Sequence, residues 1–218
     1  MSPRPFEVDP TVMAAIRPMT AGDAPEVARL HHAAMGSSTW ARLGQRFLRA
    51  LYVALLDDPL FLGWVYEDSE GVRGFIAGSE DTDRMMSATF RRAWPSLGIA
   101  AIPRAMHPSL ALTLIQTHRY QATSGGVGMP ESLFCSFEPA LRGRRVSGHI
   151  NKVLFDELAF RGHKNVKVTT EVDNVGANRQ LTSWGFEADG HFDFYGKRMV
   201  RYVLNLEGSP RVEPVSRR

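Results

Sequence analysis

An arginine-rich turn between a predicted strand and a predicted helix has the residue types best suited to chemistry. The strand ESLFCSFEP leads into ALRGRRVS and then into the helical pattern GHINKVLFDELAFRG. Backbone N–H groups at a helix start lack intrahelical partners, and the helix dipole adds positive potential there. Arg142, Arg144 and Arg145 add guanidinium groups that match phosphate oxygens. The turn therefore suits a pyrophosphate-bearing ligand, with a merely solvated turn as the structural alternative.

Cysteine and histidine are weaker candidates for chemistry. As a thiolate, Cys135 could accept an acyl group. It lies in an apolar strand with no His or Lys beside it in sequence, however, which favours a core cysteine. The seven histidines follow neither an HExxH pattern nor a cysteine-histidine ligand spacing. We therefore expect no metal site.

The elements that must position the turn follow an α/β order. The predicted elements are, in chain order, a strand at 14–19, helices starting near residues 23 and 47, a hairpin at 61–66 and 72–77, a strand at 132–137, a helix at 148–161, a strand at 165–171, a helix at 175–184, and a strand pair at 186–193 and 199–206. Such an order predicts one domain around a mixed sheet. We assign residues 14–206 to this domain and expect loose termini at 1–13 and 207–218.

The segment between the hairpin and the next strand is unusually long. Paired strands are commonly joined by roughly two to five residues, whereas about fifty residues, 82–130, stand here. Apolar residues at helical spacing are Met85, Met86, Phe90, Trp94 and Leu97, and the expected breaks are Pro95, Pro103 and Pro108. We expect an insertion of two or three helices, which could cap one end of the sheet, close over a binding site or form a dimer surface.

Composition and charge exclude several classes of protein. The 218 residues are 44% hydrophobic and 22% charged, which excludes disordered and fibrous classes. Because the excess of 26 Lys and Arg over 23 Asp and Glu is small and scattered, we expect no nucleic-acid partner. A single cysteine excludes an intramolecular disulfide and favours a reducing compartment. No apolar run reaches the ~18 residues of a membrane span, so we expect a cytoplasmic protein.

Two sequence blocks resemble the GNAT superfamily of acyl-CoA-dependent N-acetyltransferases. The first, RGRRVS at 142–147, is similar to the family's arginine- and glycine-rich loop around the coenzyme A pyrophosphate. The second begins at Asn174 and closes on Gly185 and Phe186, like the family's next block. Since the element order outside the insertion also agrees, the resemblance covers about residues 14–206. It implies a mixed, mostly antiparallel sheet with flanking helices and a splayed central strand pair.

The resemblance also implies a set of coenzyme A contacts on the splayed strand, the loop and the second block. These residues are Cys135, Phe137, Arg142, Gly143, Arg144, Arg145, Val146, Ser147, Gly148, Asn174 and Asn178. Arg145 and Ser147 stand where the family prefers small residues, which predicts a reshaped loop or a weaker phosphate contact. Acetyl-CoA is the implied co-substrate.

The catalytic roles follow from the resemblance and from the chemistry of amine acetylation. The reaction needs a base for the amine, a donor for the oxyanion and a proton for the coenzyme A sulfur. Glu131 falls where related proteins place a carboxylate that takes the amine proton; a strand-end cap is its structural alternative. Many members of the family have a tyrosine that acts as general acid toward the departing thiolate, and Leu181 stands at that position here. We therefore expect Tyr195 to donate the proton that the coenzyme A sulfur needs, although water could also serve as the donor. The structural alternative for Tyr195 is an aromatic residue of a turn or of the sheet.

In related proteins, a backbone N–H group on the strand that corresponds to the one beginning at Glu131 commonly donates to the oxyanion. By simple alternation Glu131, Leu133, Cys135 and Phe137 share one face of this strand. The family's bulge in this strand would change that order. The facing of these four residues therefore depends on whether the bulge is present.

These features predict an N-acetyltransferase that carries an acetyl group from acetyl-CoA to a primary amine of a small molecule, by direct attack in a ternary complex. An amino sugar, an amino acid or a polyamine would fit. A non-catalytic acyl-CoA-binding sensor or partner-binding module is one alternative, because the usual tyrosine is missing. An N-acyltransferase for longer acyl chains is another, because the apolar insertion could hold such a chain. The insertion would also suit a homodimer.

Overall fold

This computed structural model describes residues 5–36, 39–105, 128–194 and 196–214, which contain both helices and strands. The helices are α1 Pro10–Ala14, α2 Ala24–Met35, α3 Thr39–Arg42, α4 Gln45–Leu56, α5 Thr82–Ala105, α6 Val146–Phe160 and α7 Val175–Trp184. The strands are β1 Ile16–Pro18, β2 Phe61–Asp68, β3 Gly71–Ser79, β4 Glu131–Phe137, β5 Asn165–Glu171, β6 Glu187–Phe194 and β7 Lys197–Asn205.

The strands of the described residues form one sheet in the order β1-β2-β3-β4-β5-β7-β6. Neighbouring strands are antiparallel except for β4 and β5, which run parallel. A parallel pair needs a long crossover connection, and helix α6 provides it between β4 and β5. The predicted single α/β domain with a mixed, mostly antiparallel sheet is confirmed.

Two hydrophobic cores cover opposite faces of this sheet. On one face, α2, α4 and α5 pack through residues such as Leu30, Tyr52 and Met85. On the other face, α6 and α7 pack through residues such as Phe155 and Trp184. Because successive strand residues point to opposite faces, a strand covered on both faces must be apolar throughout. This requirement explains the continuous apolar run FLGWVY in β2.

Residues 5–13 are packed against α6 and α7, in contrast to the loose terminus expected at 1–13, of which residues 1–4 lie outside the described residues. Phe6 stacks on Trp184 with ring centroids 5.3 Å apart and meets His149 edge-on. Asp9 caps α1 with its side chain, and its backbone N–H donates to Nε2 of His149. Since α1 extends to Ala14, strand β1 is shorter than the strand expected at 14–19.

The C-terminal segment is also held, as far as residue 214. Nζ of the buried Lys152 donates to the backbone carbonyl of Arg211, and the guanidinium of Arg211 lies over the Trp184 ring. The backbone N–H of Glu213 donates to the carboxylate of Asp156. Both terminal segments therefore meet near Trp184, and residues 207–214 do not form the loose end that composition predicts.

The first part of the insertion is one continuous helix, so the expectation of separate helices broken at prolines is wrong for residues 82–105. Helix α5 has 24 residues and passes through Pro95 and Pro103. A proline inside a helix removes one hydrogen bond, and burial of Met85 and Leu97 holds α5 in place. Trp94 on the same helix is exposed. Residues 106–127 lie outside the described residues, and the homodimer expected at the insertion stays a prediction.

Candidate active site

The parallel strands β4 and β5 pair only at their beginnings. Their register joins Glu131 to Lys167 and Ser132 to Val168, and no further pair follows among the described residues. Beyond that point β4 continues along β3, while β5 continues along β7. The two strands therefore separate toward their carboxyl ends, as the predicted splayed pair requires. Their free edges leave backbone hydrogen-bonding groups for an extended ligand.

A bulge in β4 changes which way its side chains face. The register of β4 against β3 passes over Leu133, which is the extra residue. Leu133 and Phe134 both pack in the core under α2 and α4, whereas Cys135 and Phe137 pack on the α6 side. The four-residue face that simple alternation predicts from Glu131 is therefore wrong, and the bulge is the physical reason.

Cys135 is partly exposed as a residue and packs against the α6 core. Its Sγ lies 3.9 Å from Nδ2 of Asn151, and burial raises the pKa of the thiol to about 12. A thiol with this pKa is protonated at neutral pH and is a poor nucleophile. Phe137, further along β4, lies over Gly74 of β3, where a Cβ atom would collide with the ring.

The end of β4 is anchored by a charged cluster before the loop begins. The carboxylate of Glu138 accepts hydrogen bonds from Arg29 of α2 at 2.6 Å and from Arg73 of β3 at 3.0 Å. These two arginines hold the pKa of Glu138 below its ordinary value. The cluster fixes the point from which the arginine-rich loop leaves the sheet.

The arginine-rich loop turns through left-handed backbone into α6. Gly143 has φ +81° and Arg145, the residue before the helix, has φ +59°. The side chains of Arg142 and Arg144 are exposed, and within the described residues neither forms an ion pair. Val146 is the first helical residue, so α6 begins two residues before the predicted start, with Ser147 and Gly148 in its first turn. The first N–H groups of this helix lack intrahelical partners, and two exposed arginines precede them in the chain, so the loop has the groups that an anion site uses.

Arg145 has a different environment from the other loop arginines. Its guanidinium donates to the side chain of Glu7 at 3.2 Å and to the Glu7 carbonyl at 3.3 Å, and it lies over the Phe6 ring. Phe6 also covers Gly148, where a Cβ atom would lie 2.9 Å from the ring. Sequence reasoning missed Phe6 and Glu7, because the polar, proline-rich composition around them gives no sign of packing.

Helix α7 begins shortly after the end of β5, the strand that forms the other side of the opening. Asn174 caps the helix by accepting the backbone N–H of Ala177. Nδ2 of Asn178 donates to the carbonyls of Glu171 and Val172 at the end of β5. Oδ1 of Asn178 is buried without a hydrogen-bond partner. A buried acceptor atom without a partner is unusual, and the described residues supply no donor for it.

Glu131 lies in a charged cluster at the closed end of the opening. It is 3% exposed, accepts a hydrogen bond from Thr82 Oγ1 at 3.0 Å, and lies 3.6 Å from Nζ of Lys167. Burial raises the pKa of the Glu131 carboxyl, while the ammonium of Lys167 acts in the opposite direction. Asp83 adds a second negative charge nearby and raises the Glu131 pKa further. The cluster therefore combines a carboxyl of raised pKa with a buried cation.

Lys167 reaches this cluster because of strand alternation. Its neighbours Val166 and Val168 pack in the α6 core, so Lys167 faces the side of α2, α4 and α5. Sequence reasoning missed Lys167. The signal was present, because a lysine between two valines in the strand pattern NVKVTTE indicates a lysine side chain on a buried strand. Thr82 was missed because it belongs to the insertion.

Comparison with solved structures settles the fold. An acetyltransferase of 16% sequence identity superposes with a TM-score of 0.60, over 88% of this chain and 98% of the other. An N-acetyltransferase from Staphylococcus aureus Mu50 gives 0.58 at 15% identity, over 87% and 99%. A GNAT-family protein from Desulfovibrio desulfuricans gives 0.57 at 12% identity, over 88% and 98%. The chain has the GNAT fold.

Sequence comparison finds one short match to a curated acetyltransferase. A segment of 53 residues is 36% identical to the mycothiol acetyltransferase of Brachybacterium faecium. This segment is 24% of the chain and 16% of that relative. No protein-family model matches the chain.

The GNAT resemblance leads one to expect a tyrosine that acts as general acid on α7, and a leucine of the hydrophobic core stands at that position. Leu181 is buried among the side chains of α6 and α7 and has no proton to donate. Tyr195, the substitute predicted from sequence, lies outside the described residues. The described parts of the GNAT fold contain no group of three or more potential metal ligands, and no helix there is long and apolar enough to cross a membrane.

Proposed function

We propose that this protein transfers an acetyl group from acetyl-CoA to a primary amine of a small molecule, by direct attack in a ternary complex. The observation that carries the proposal is the opening between β4 and β5. It has an arginine-lined helix start at one end and a buried carboxylate at the other. An extended ligand with a phosphorylated end and a reactive end fits this arrangement.

The chain's own residues provide for the phosphorylated end. Arg142, Arg144 and the first turn of α6 would bind pyrophosphate oxygens. The free edges of β4 and β5 would take amide groups of the pantetheine arm, and Oδ1 of Asn178 would accept one of its donors. Cys135 and Phe137 would border the arm from the α6 side.

Glu131 would handle the proton of the attacking amine. A base is most effective when its pKa is close to the working pH, and burial raises the pKa of Glu131 toward that range. Its carboxylate would accept the amine proton directly or through water. A backbone N–H at the Leu133 bulge would donate to the oxygen that becomes negative during attack. Tyr195 or water would protonate the departing sulfur.

Release of the coenzyme A thiol in the presence of primary amines tests this proposal. Wild-type protein is mixed with acetyl-CoA and a panel of amino sugars, amino acids and polyamines, and free thiol is followed over time. Glu131→Gln keeps the shape and removes the base, so we expect a loss of about 10²-fold or more in kcat with unchanged acetyl-CoA binding. Acetyl-CoA binding without turnover of any amine would overturn the proposal in favour of a sensor.

A longer acyl donor is tested in the same assay. Acetyl-CoA and a long-chain acyl-CoA are compared with the amine that wild-type protein uses best. We expect higher kcat/KM with acetyl-CoA, because Leu133 and Phe134 occupy the core beneath the bulge. A clear preference for the long chain would assign the insertion to the acyl tail.

A further inference from the structure

A buried hydroxyl group without a partner stands where the opening begins. Thr169 follows Val168, the last residue of β5 that pairs with β4. Its Oγ1 is buried and makes no hydrogen bond, although the residue as a whole is partly exposed. A buried polar atom without a partner destabilises the folded state, so this hydroxyl calls for an explanation beyond packing.

The position of Thr169 relative to the bulge points to the reacting centre. Continuing the parallel register by one residue would place Thr169 opposite Leu133, but the strands have already separated there. By alternation Thr169 shares its face with Lys167, the residue paired with Glu131. Thr169 therefore lies on β5 one residue beyond its last pair with β4, on the same face of the sheet as the carboxylate of Glu131.

We infer that the Thr169 hydroxyl binds the acceptor amine, an inference that rests on the proposed acetyl transfer. A neutral primary amine has one lone pair and two N–H groups. The lone pair must point at the carbonyl carbon, and Glu131 takes one N–H. The remaining N–H needs an acceptor on the other side of the nitrogen, and Oγ1 of Thr169 supplies it.

This arrangement makes Thr169 a determinant of specificity for primary amines. A secondary amine such as the N-methyl analogue of the same substrate has only one N–H, so it would leave Thr169 unpaired and place a methyl group against the hydroxyl. Discrimination by an unpaired buried polar group is generally strong. The enzyme should therefore prefer the primary amine to its N-methyl analogue.

Thr169→Val tests the inference, because valine has the same shape without the hydroxyl. We expect kcat/KM for the best primary amine to fall about tenfold or more while that for its N-methyl analogue changes little. Acetyl-CoA affinity and Tm should stay equal or rise, because a buried unpaired hydroxyl is removed. Thr169→Ser should restore the preference.

Thr89→Val is the matched control. Thr89 is a second buried hydroxyl without a partner, but it lies in the middle of α5. Its substitution should leave the ratio between the two amines unchanged. An equal fall for both amines with a lowered Tm, or no change at all in Thr169→Val, would overturn the inference while leaving acetyl transfer in place. Absence of turnover in wild-type protein would instead overturn the proposed function itself.

Discussion

At the scale of residues, the pair formed by Glu131 and Lys167 combines two opposing effects. Burial disfavours the charged form of the carboxyl, and the ammonium 3.6 Å away favours it. A base must be ionised before it can accept a proton, so in the proposed reaction the cation would extend the activity of Glu131 to lower pH. Lys167 would then act through Glu131 as a positioning residue.

Substitution of Lys167 should change the pH dependence of the reaction. Removing the ammonium in Lys167→Met raises the pKa of Glu131, so the carboxyl stays protonated to a higher pH. We expect the acidic limb of the kcat/KM profile to move upward by about one pH unit or more. Lys167→Arg keeps the charge and should keep the limb near its wild-type position. A reduced rate with an unmoved limb in Lys167→Met would assign a purely structural role to the pair.

The thiol of Cys135 should be unreactive in the folded protein. Its pKa of about 12 leaves almost no thiolate at about pH 8, and the thiolate is the reactive form. Reaction with dithionitrobenzoate, followed by absorbance, should be much slower in native protein than after unfolding in guanidinium chloride. Equal rates in the two states would show that Cys135 is accessible and ionised.

At the scale of elements, the sequence predicts the parts of the site that are local. The turn RGRRVS, strand β5 and helix α7 follow from spacing and from cap residues such as Asn174. Helix α6 starts earlier than predicted, because Arg145 adopts a left-handed conformation that a pattern of apolar residues does not report. Helix α5 continues through Pro95, because packing of its buried face outweighs a local helix breaker.

The parts that the sequence does not predict depend on contacts between distant segments. The pairing of Lys167 with Glu131 joins residues on two strands, and the Thr82 hydroxyl comes from the insertion. The contact of Glu7 with Arg145 spans most of the chain. Such contacts are set by topology and strand register, so local propensity does not indicate them. A bulge in β4 was expected from the resemblance alone, and its place at Leu133 comes from the structure.

The loop arginines should contribute to coenzyme affinity through their charge. The double variant Arg142→Ala, Arg144→Ala should weaken acetyl-CoA binding by about tenfold, with a smaller dependence on salt. Isothermal titration at two salt concentrations measures both effects. The matched control removes Arg46 and Arg49, two exposed arginines of α4. Equal loss in the two double variants would contradict a specific phosphate contact.

At the scale of the whole molecule, the sheet separates two sides that carry different sets of candidate site residues. The α6 and α7 side carries the arginine loop, Cys135 and Asn178. The side of α2, α4 and α5 carries Glu131, Lys167 and Thr169. The opening between β4 and β5 lies between them, and in the proposed reaction the coenzyme and the amine would meet there, at the bulge. The terminal segments join the first side by packing near Trp184.

Packing of the N-terminal segment should add to global stability. Phe6→Ala removes the ring stacked on Trp184 and covering Gly148, and we expect a loss of about 1–3 kcal/mol in the free energy of unfolding. Denaturant unfolding measures this loss. Val8→Ala, at an exposed position of the same segment, is the control and should change stability by less than about 0.5 kcal/mol. Equal stabilities of wild type and Phe6→Ala would show that the segment is not held in solution.

The central claim is that the opening between β4 and β5 binds acetyl-CoA, and isothermal titration of wild-type protein with acetyl-CoA tests it most directly. We expect one molecule bound per chain at micromolar concentration, with ATP at the same concentration giving a much weaker signal. The difference is expected because ATP has phosphates for the loop but no pantetheine arm for the strand edges. No heat of binding with acetyl-CoA at millimolar concentration, or equal affinity for ATP, would contradict the account.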